Sequence, residues 1–180
     1  ATTKPYDEVI DSIADTMRKY YGNPSSAYSL GLKAELKMNE SRDIIARTIN
    51  CSRDEIIFTS GGSESNNFLI KGFIKPGKHL ITTKIEHPSL LNTCRQLENQ
   101  GVKVTYLNVN NRGEINLEEL AASITRETQI VSIMHTNNEI GIVQDIEYIG
   151  KYIKERNSRI KFHVDAVQGY GKYKIDVKKS

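Results

Sequence analysis

Four short polar runs hold the side chains of this chain that could do chemistry. Thr59-Ser60-Gly61-Gly62-Ser63-Glu64-Ser65-Asn66-Asn67 sets two glycines and several hydroxyls ahead of a helical pattern. Free N–H groups at a helix start, flanked by hydroxyls, suit a phosphate; the same residues would also serve as an ordinary helix cap. Glu86-His87-Pro88 offers an imidazole for proton transfer, metal ligation or ring stacking, or a histidine with a structural place. His135-Thr136-Asn137-Asn138-Glu139-Ile140-Gly141 supplies amides able to hydrogen-bond a planar ligand, in a composition any loop tolerates. Phe162-His163-Val164-Asp165-Ala166-Val167-Gln168 ends an apolar strand with a carboxylate and then an amide. An acid so placed suits a ring nitrogen that must stay protonated, or else a cap or an ion pair. A phosphate cradle, a flat plate, amide donors and an acid for a ring nitrogen together describe pyridoxal 5′-phosphate.

Each run follows a predicted strand. Apolar spacing predicts helices over 5–20, 29–49, 65–73, 88–99, 117–123 and 145–156. Short apolar runs predict strands over 55–59, 79–83, 102–107, 129–134 and 159–164. Strands buried on both faces and joined by helices require an α/β fold: three layers, with a mostly parallel sheet and helices on both faces. Ligands of such sheets bind at the carboxyl ends of the strands, where all four runs lie. His163 and Asp165, two apart, should share one face.

The bulk numbers exclude more than they assign. In 180 residues a substantial core is possible, and 38% hydrophobic with 26% charged residues is ordinary for a globular protein. A net charge of +3, evenly spread, gives no argument for nucleic acid. No apolar run is long enough for a membrane span, and no leader pattern opens the chain. Two cysteines, Cys51 and Cys94, make no disulfide framework, so a cytoplasmic setting is expected. A metal site is not expected: there is no His-Glu-x-x-His, and the cysteines lack ligand spacing.

The motifs in register resemble those of the NifS/IscS-type cysteine desulfurases, class V aminotransferases of the fold type I pyridoxal-phosphate enzymes. The resemblance is carried by Tyr21-Gly22-Asn23-Pro24-Ser25-Ser26, the Thr59–Asn67 run with Phe58 before it, and Glu86-His87-Pro88-Ser89-Leu90-Leu91-Asn92-Thr93-Cys94. Met134 through Asp145 and His163 through Gln168 complete it, and the opening Ala1-Thr2-Thr3 resembles the end of an N-terminal family phrase. The resemblance implies removal of sulfur from L-cysteine, giving L-alanine and an enzyme persulfide for iron–sulfur clusters or other acceptors. It implies that His87 stacks on the cofactor ring and assists proton transfer, and that Asp165 pairs with the ring nitrogen. Gln168 would reach the phenolate oxygen, Asn138 the ring substituent and substrate side, and Gly62 and Ser63 the phosphate. A homodimer and a sulfur-acceptor or scaffold partner are implied as well.

Several positions depart from the family pattern. Tyr28 stands where the family commonly has a histidine, and no role is assigned to it. Lys172 and Lys174 match a phrase that precedes the family's Schiff-base lysine, so neither is expected to carry the cofactor. Cys51 and Cys94 match no sulfur-accepting cysteine, which in the family lies on a later loop. Residues 1–180 are therefore expected to be the N-terminal part of the large, cofactor-binding domain, an incomplete fold type I domain that is inactive alone. Rival expectations are a selenocysteine lyase or another class V enzyme, and a non-catalytic fragment or split half.

Overall fold

The computed structural model describes residues 3–179, so Ala1 and Thr2 of the opening phrase lie outside the described residues, as does Ser180. The chain divides into two compact units, Ala1–Ile57 with Ile175–Val177, and Phe58–Lys174 with Lys178–Ser180.

The first unit is helical. Helix α1 spans Asp7–Lys19, with acids in its first turn and Arg18 and Lys19 in its last, both signs complementing the helix dipole. Its predicted apolar stripe exists, yet Val9, Ile10, Ile13 and Met17 all stand exposed. Helix α2 spans Ser29–Ile49 and ends at Asn50, whose left-handed φ of 59° makes the terminal turn. The Asn50 amide then donates to both carboxylate oxygens of Asp176 at 3.1 Å, and Val177 N–H donates to Ile49 O.

The segment predicted as a strand over 55–59 is not one. Residues 53–55 form a 3-10 turn closed by a Ser52–Glu55 capping box, and residues 56–59 run without ladder pairing. Apolar content does not by itself make a strand: a strand also needs a place in a sheet's ladder, and the four-stranded sheet does not include this segment. Ile57 and Phe58 are accordingly exposed rather than buried.

The second unit is the three-layer sandwich. Helix α3 (Gly62–Phe73) precedes strand β1 (His79–Thr83); α4 (Pro88–Glu98) leads to β2 (Lys103–Leu107); α5 (Leu117–Ser123) leads to β3 (Thr128–Met134); and α6 (Ile146–Arg156) leads to β4 (Lys161–Asp165). The four strands are all parallel, in the order β2-β1-β3-β4. Alternation along the strands sorts the core. Leu80 and Ile130 pack with Ile70 of α3, with Ile74 just after it, and with Leu90, Cys94 and Leu97 of α4. Their neighbours Ile81 and Val131 pack on the other face with Leu120 of α5 and Ile149 and Ile153 of α6. With eleven large or medium apolar side chains among the described residues essentially inaccessible to water, the sheet is a rigid base for the loops at its end.

Strand order reverses between β1 and β3, since the chain moves outward to β2 and then returns to the other side of β1. That reversal opens a crevice at the carboxyl ends of β1 and β3, where open α/β sheets place their ligands.

Candidate active site

Three of the four polar runs emerge at the carboxyl ends of β1, β3 and β4, and the fourth opens α3. The loops after β1 and β3 are stitched together by buried polar groups. Glu86 Oε1 accepts from Met134 N–H at 3.0 Å and from the Thr83 hydroxyl at 2.8 Å. Asn137 Nδ2 donates to Ile85 O at 2.7 Å, while its Oδ1 accepts from the N–H groups of Glu139 and Ile140. Burial pushes the Glu86 carboxyl up to about 7, and the charge of Asp165 adds to the rise. Its other oxygen, Oε2, is buried with no hydrogen-bond partner among the described residues.

Asp165 ends β4 opposite Met134 of β3 and is 6% exposed. Oδ2 accepts from Asn66 Nδ2 at 2.9 Å and Oδ1 from Val167 N–H at 3.1 Å. Among the described residues no cation pairs with it. His163 stands two residues earlier and hydrogen-bonds the Ser132 hydroxyl through Nδ1 at 2.8 Å. Burial holds that imidazole below its usual range, opposed by the nearby Asp165 charge.

Gly62 and Ser63 occupy the first turn of α3, one turn earlier than predicted, because glycines that read as a break in the sequence begin the helix. Gly61 precedes them at φ 156°, ψ 179°, a conformation essentially restricted to glycine. Among the described residues no side chain caps this helix. Glu64 instead turns back to accept from Ser60 N–H, which lowers its carboxyl. The start of α3 abuts the loop after β4: a Cβ on Gly62 would stand 2.8 Å from Val167 Cγ2, beside the half-buried Gln168.

His87 is the N-cap of α4 and is exposed; its Nδ1 accepts from Ser89 N–H at 3.1 Å, and Pro88 occupies the first helical position. Short contacts link part of the expected set: Gly62 lies against Val167, next to Gln168, and Asp165 reaches α3 through Asn66. Asn138 sits exposed beside Asn137, which is bonded to the loop that carries His87. Two contributors do not stand out in the sequence: Glu86 stands beside His87 in one polar run and Asn66 within another. A buried acid after a strand was the available signal for the first; no local signal marks the second.

The other histidines are tied into the framework. His79 bonds Thr128 and Thr105 through its two ring nitrogens, and burial lowers its pKa. His135 is buried, likewise lowered, and meets the edge of Tyr173 at 5.4 Å between ring centroids. Lys172 and Lys174 are exposed. Cys94 sits in the α3–α4 core, where burial first, then the charges of Glu86 and Glu98, push its thiol up to about 12.

The model of the family described as aminotransferase class-V matches residues 1–180. The chain belongs to that family. Similar class V relatives include a cysteine desulfurase of Trichormus azollae, 46% identical over all of this chain and 45% of its own length. The cysteine desulfurase IscS of Clostridium botulinum strain Hall is 45% identical over 99% of this chain and 45% of its own. This class V chain therefore spans about half the length of these relatives. A solved NifS-like protein superposes with a TM-score of 0.94 at 39% identity, over 99% of this chain and 50% of its own. SspA in complex with cysteine superposes at 0.91, also 39% identical, over 98% and 52%. The fold is that of these NifS-like proteins, as the α/β reading expected.

Proposed function

We propose that this chain is the N-terminal part of the cofactor-binding large domain of a pyridoxal-phosphate-dependent cysteine desulfurase. The observation that carries the reading is Asp165: a buried carboxylate at a strand end, held by two neutral donors and given no cation among the described residues. Burying a charge is costly without a positive or hydrogen-bonding counterpart, and a protonated ring nitrogen would complete the set. The uncapped start of α3 supplies the complementary anion site. The donor set therefore fits pyridoxal 5′-phosphate, with 45–46% identity to named cysteine desulfurases as independent support.

Bound there, the cofactor supplies an electron sink for bond breaking at the α-carbon of an amino acid. The residues of this chain do the rest of the holding. Gly62 and Ser63 bind the phosphate through N–H groups and a hydroxyl. Asp165 keeps the ring nitrogen protonated, and its two neutral hydrogen bonds keep the carboxylate aimed. Gln168 donates to the phenolate oxygen, and Asn138 binds on the substrate side. His87 covers the ring and moves protons. The covalent lysine and the cysteine that takes up sulfur would come from the rest of the parent protein, as would the completed homodimer and the docking of a sulfur acceptor for iron–sulfur assembly. No helix among the described residues is long and apolar enough to cross a membrane, and a cytoplasmic setting belongs to the same reading.

The test is spectroscopic. Pyridoxal phosphate added to the chain should show a saturable, shifted absorbance with no stoichiometric borohydride-stable adduct at Lys172 or Lys174. An adduct at either lysine, or an absorbance identical to free cofactor, overturns the assignment.

A further inference from the structure

The side chains of Asp165 and His87 are joined by a hydrogen-bond path through two residues to which the family resemblance gives no role. The Asn66 amide spends one hydrogen on Asp165 Oδ2 at 2.9 Å and the other on Ser89 Oγ at 3.0 Å. Asn66 is 3% exposed, so its amide has no water to turn toward. Ser89 Oγ, accepting from the amide, has its own hydrogen left for His87 Nδ1, 2.8 Å away. The same Nδ1 also accepts from Ser89 N–H at 3.1 Å. A ring nitrogen that accepts from two donors carries no proton, so in the neutral imidazole the proton stands on Nε2.

We infer that Asn66 and Ser89 are positioning residues that couple Asp165 to His87 and hold the imidazole in its Nε2–H form. The direction of donation is set from both ends: a carboxylate can only accept, which fixes the Asn66 amide as donor to Asp165 and to Ser89 Oγ, and the Ser89 backbone N–H fixes Nδ1 as an acceptor, which leaves the hydroxyl hydrogen to join it there. Any proton that His87 exchanges with a ligand then passes through Nε2, since Nδ1 is committed. A ligand that draws on Asp165 also pulls on the same amide, so the acid and the imidazole respond together. What His87 is used for rests on the cofactor reading above; how it is held does not.

The test is the tautomer of His87, read from long-range ¹H–¹⁵N correlations of the histidine-labelled full chain without cofactor, with the resonance assigned through His87→Gln. The native chain should show Nε2–H. Ser89→Ala should lower the ratio of the Nε2–H to the Nδ1–H form about fivefold, the effect of one lost hydrogen bond. Ser89→Thr, which keeps a hydroxyl, should restore it, and Asn66→Ala should shift it in the same direction as Ser89→Ala. A native Nδ1–H form, or an unchanged ratio in either alanine variant, overturns the inference. Pyridoxal phosphate titrated into the same samples separates the two readings. A responsive tautomer with no cofactor binding defeats the proposed function and leaves this coupling standing.

Discussion

The carboxyl of Glu86 and the backbone N–H of Met134, 48 residues apart in sequence, meet at 3.0 Å and tie the carboxyl ends of β1 and β3 together. That bond depends on a group whose ionisation the fold resists. Unfolded, Glu86 titrates near its ordinary 4.5; folded, near 7. The folded state therefore binds the extra proton between these values, so this contribution to stability is full below about pH 4.5 and is lost as pH rises toward 7. The swing is on the order of 3 kcal/mol. Glu86→Gln keeps acceptors for Met134 and Thr83 and removes the titration. Thermal melts at about pH 5 and pH 8 should diverge for the native chain and draw together for the variant; parallel profiles would refute the assignment.

Asp165→Ala removes the acceptor of both Asn66 and Val167 N–H. Leaving the buried amide unpaired should cost about 1–3 kcal/mol, too little to erase the fold. On the proposed function, alanine release from L-cysteine by the parent protein should drop by at least roughly 10²-fold, as when a preorganised charge partner is removed. Near-native turnover would return Asp165 to a structural capping role.

Gly169 lies directly against the His135 imidazole, so that a Cβ there would collide with Nδ1. A buried ring cannot swing away cheaply. Gly169→Ala should lose about 1–3 kcal/mol through overpacking. Gly72, inside α3 with open space around it, provides the contrast: Gly72→Ala should gain about 0.5–1 kcal/mol. Denaturant unfolding of the two variants checks both signs at once.

Cys94 should be inert while folded. A thiol at about 12 rather than 9 holds roughly a thousandfold less thiolate at neutral pH, and the thiolate is the reactive form. Timed alkylation followed by mass mapping should show Cys94 protected in the folded chain and modified on denaturation. Ready labelling in the native state would contradict its place in the α3–α4 core.

Apolar runs such as Leu80-Ile81 and Ile130-Val131 made β1 and β3 legible, because a strand buried on both faces leaves an unbroken hydrophobic signature. The same signature misread residues 55–59: Ile56-Ile57-Phe58 is apolar enough for a strand but has no place in the sheet, and membership of a ladder is not a local property. The site shows the same division. Asp165, His87 and the double glycine announced themselves by type and by position after predicted elements. Asn66 and Ser89 did not, since a buried amide between an acid and a hydroxyl exists only once α3, α4 and β4 have packed. Asn137 and Asn138 are indistinguishable as letters. Packing turns Asn137 inward to brace Ile85 and leaves its neighbour exposed.

Because all four strands of the sheet run the same way, the polar loops gather at one end, and the turns entering the strands gather at the other. Lys78, Arg126 and Ser158 sit exposed in three of those entering turns. They are natural attachment points for a fluorophore or a surface tether. A dye there would have the length of the strands between it and Asp165, and could report on ligand binding without competing for the crevice.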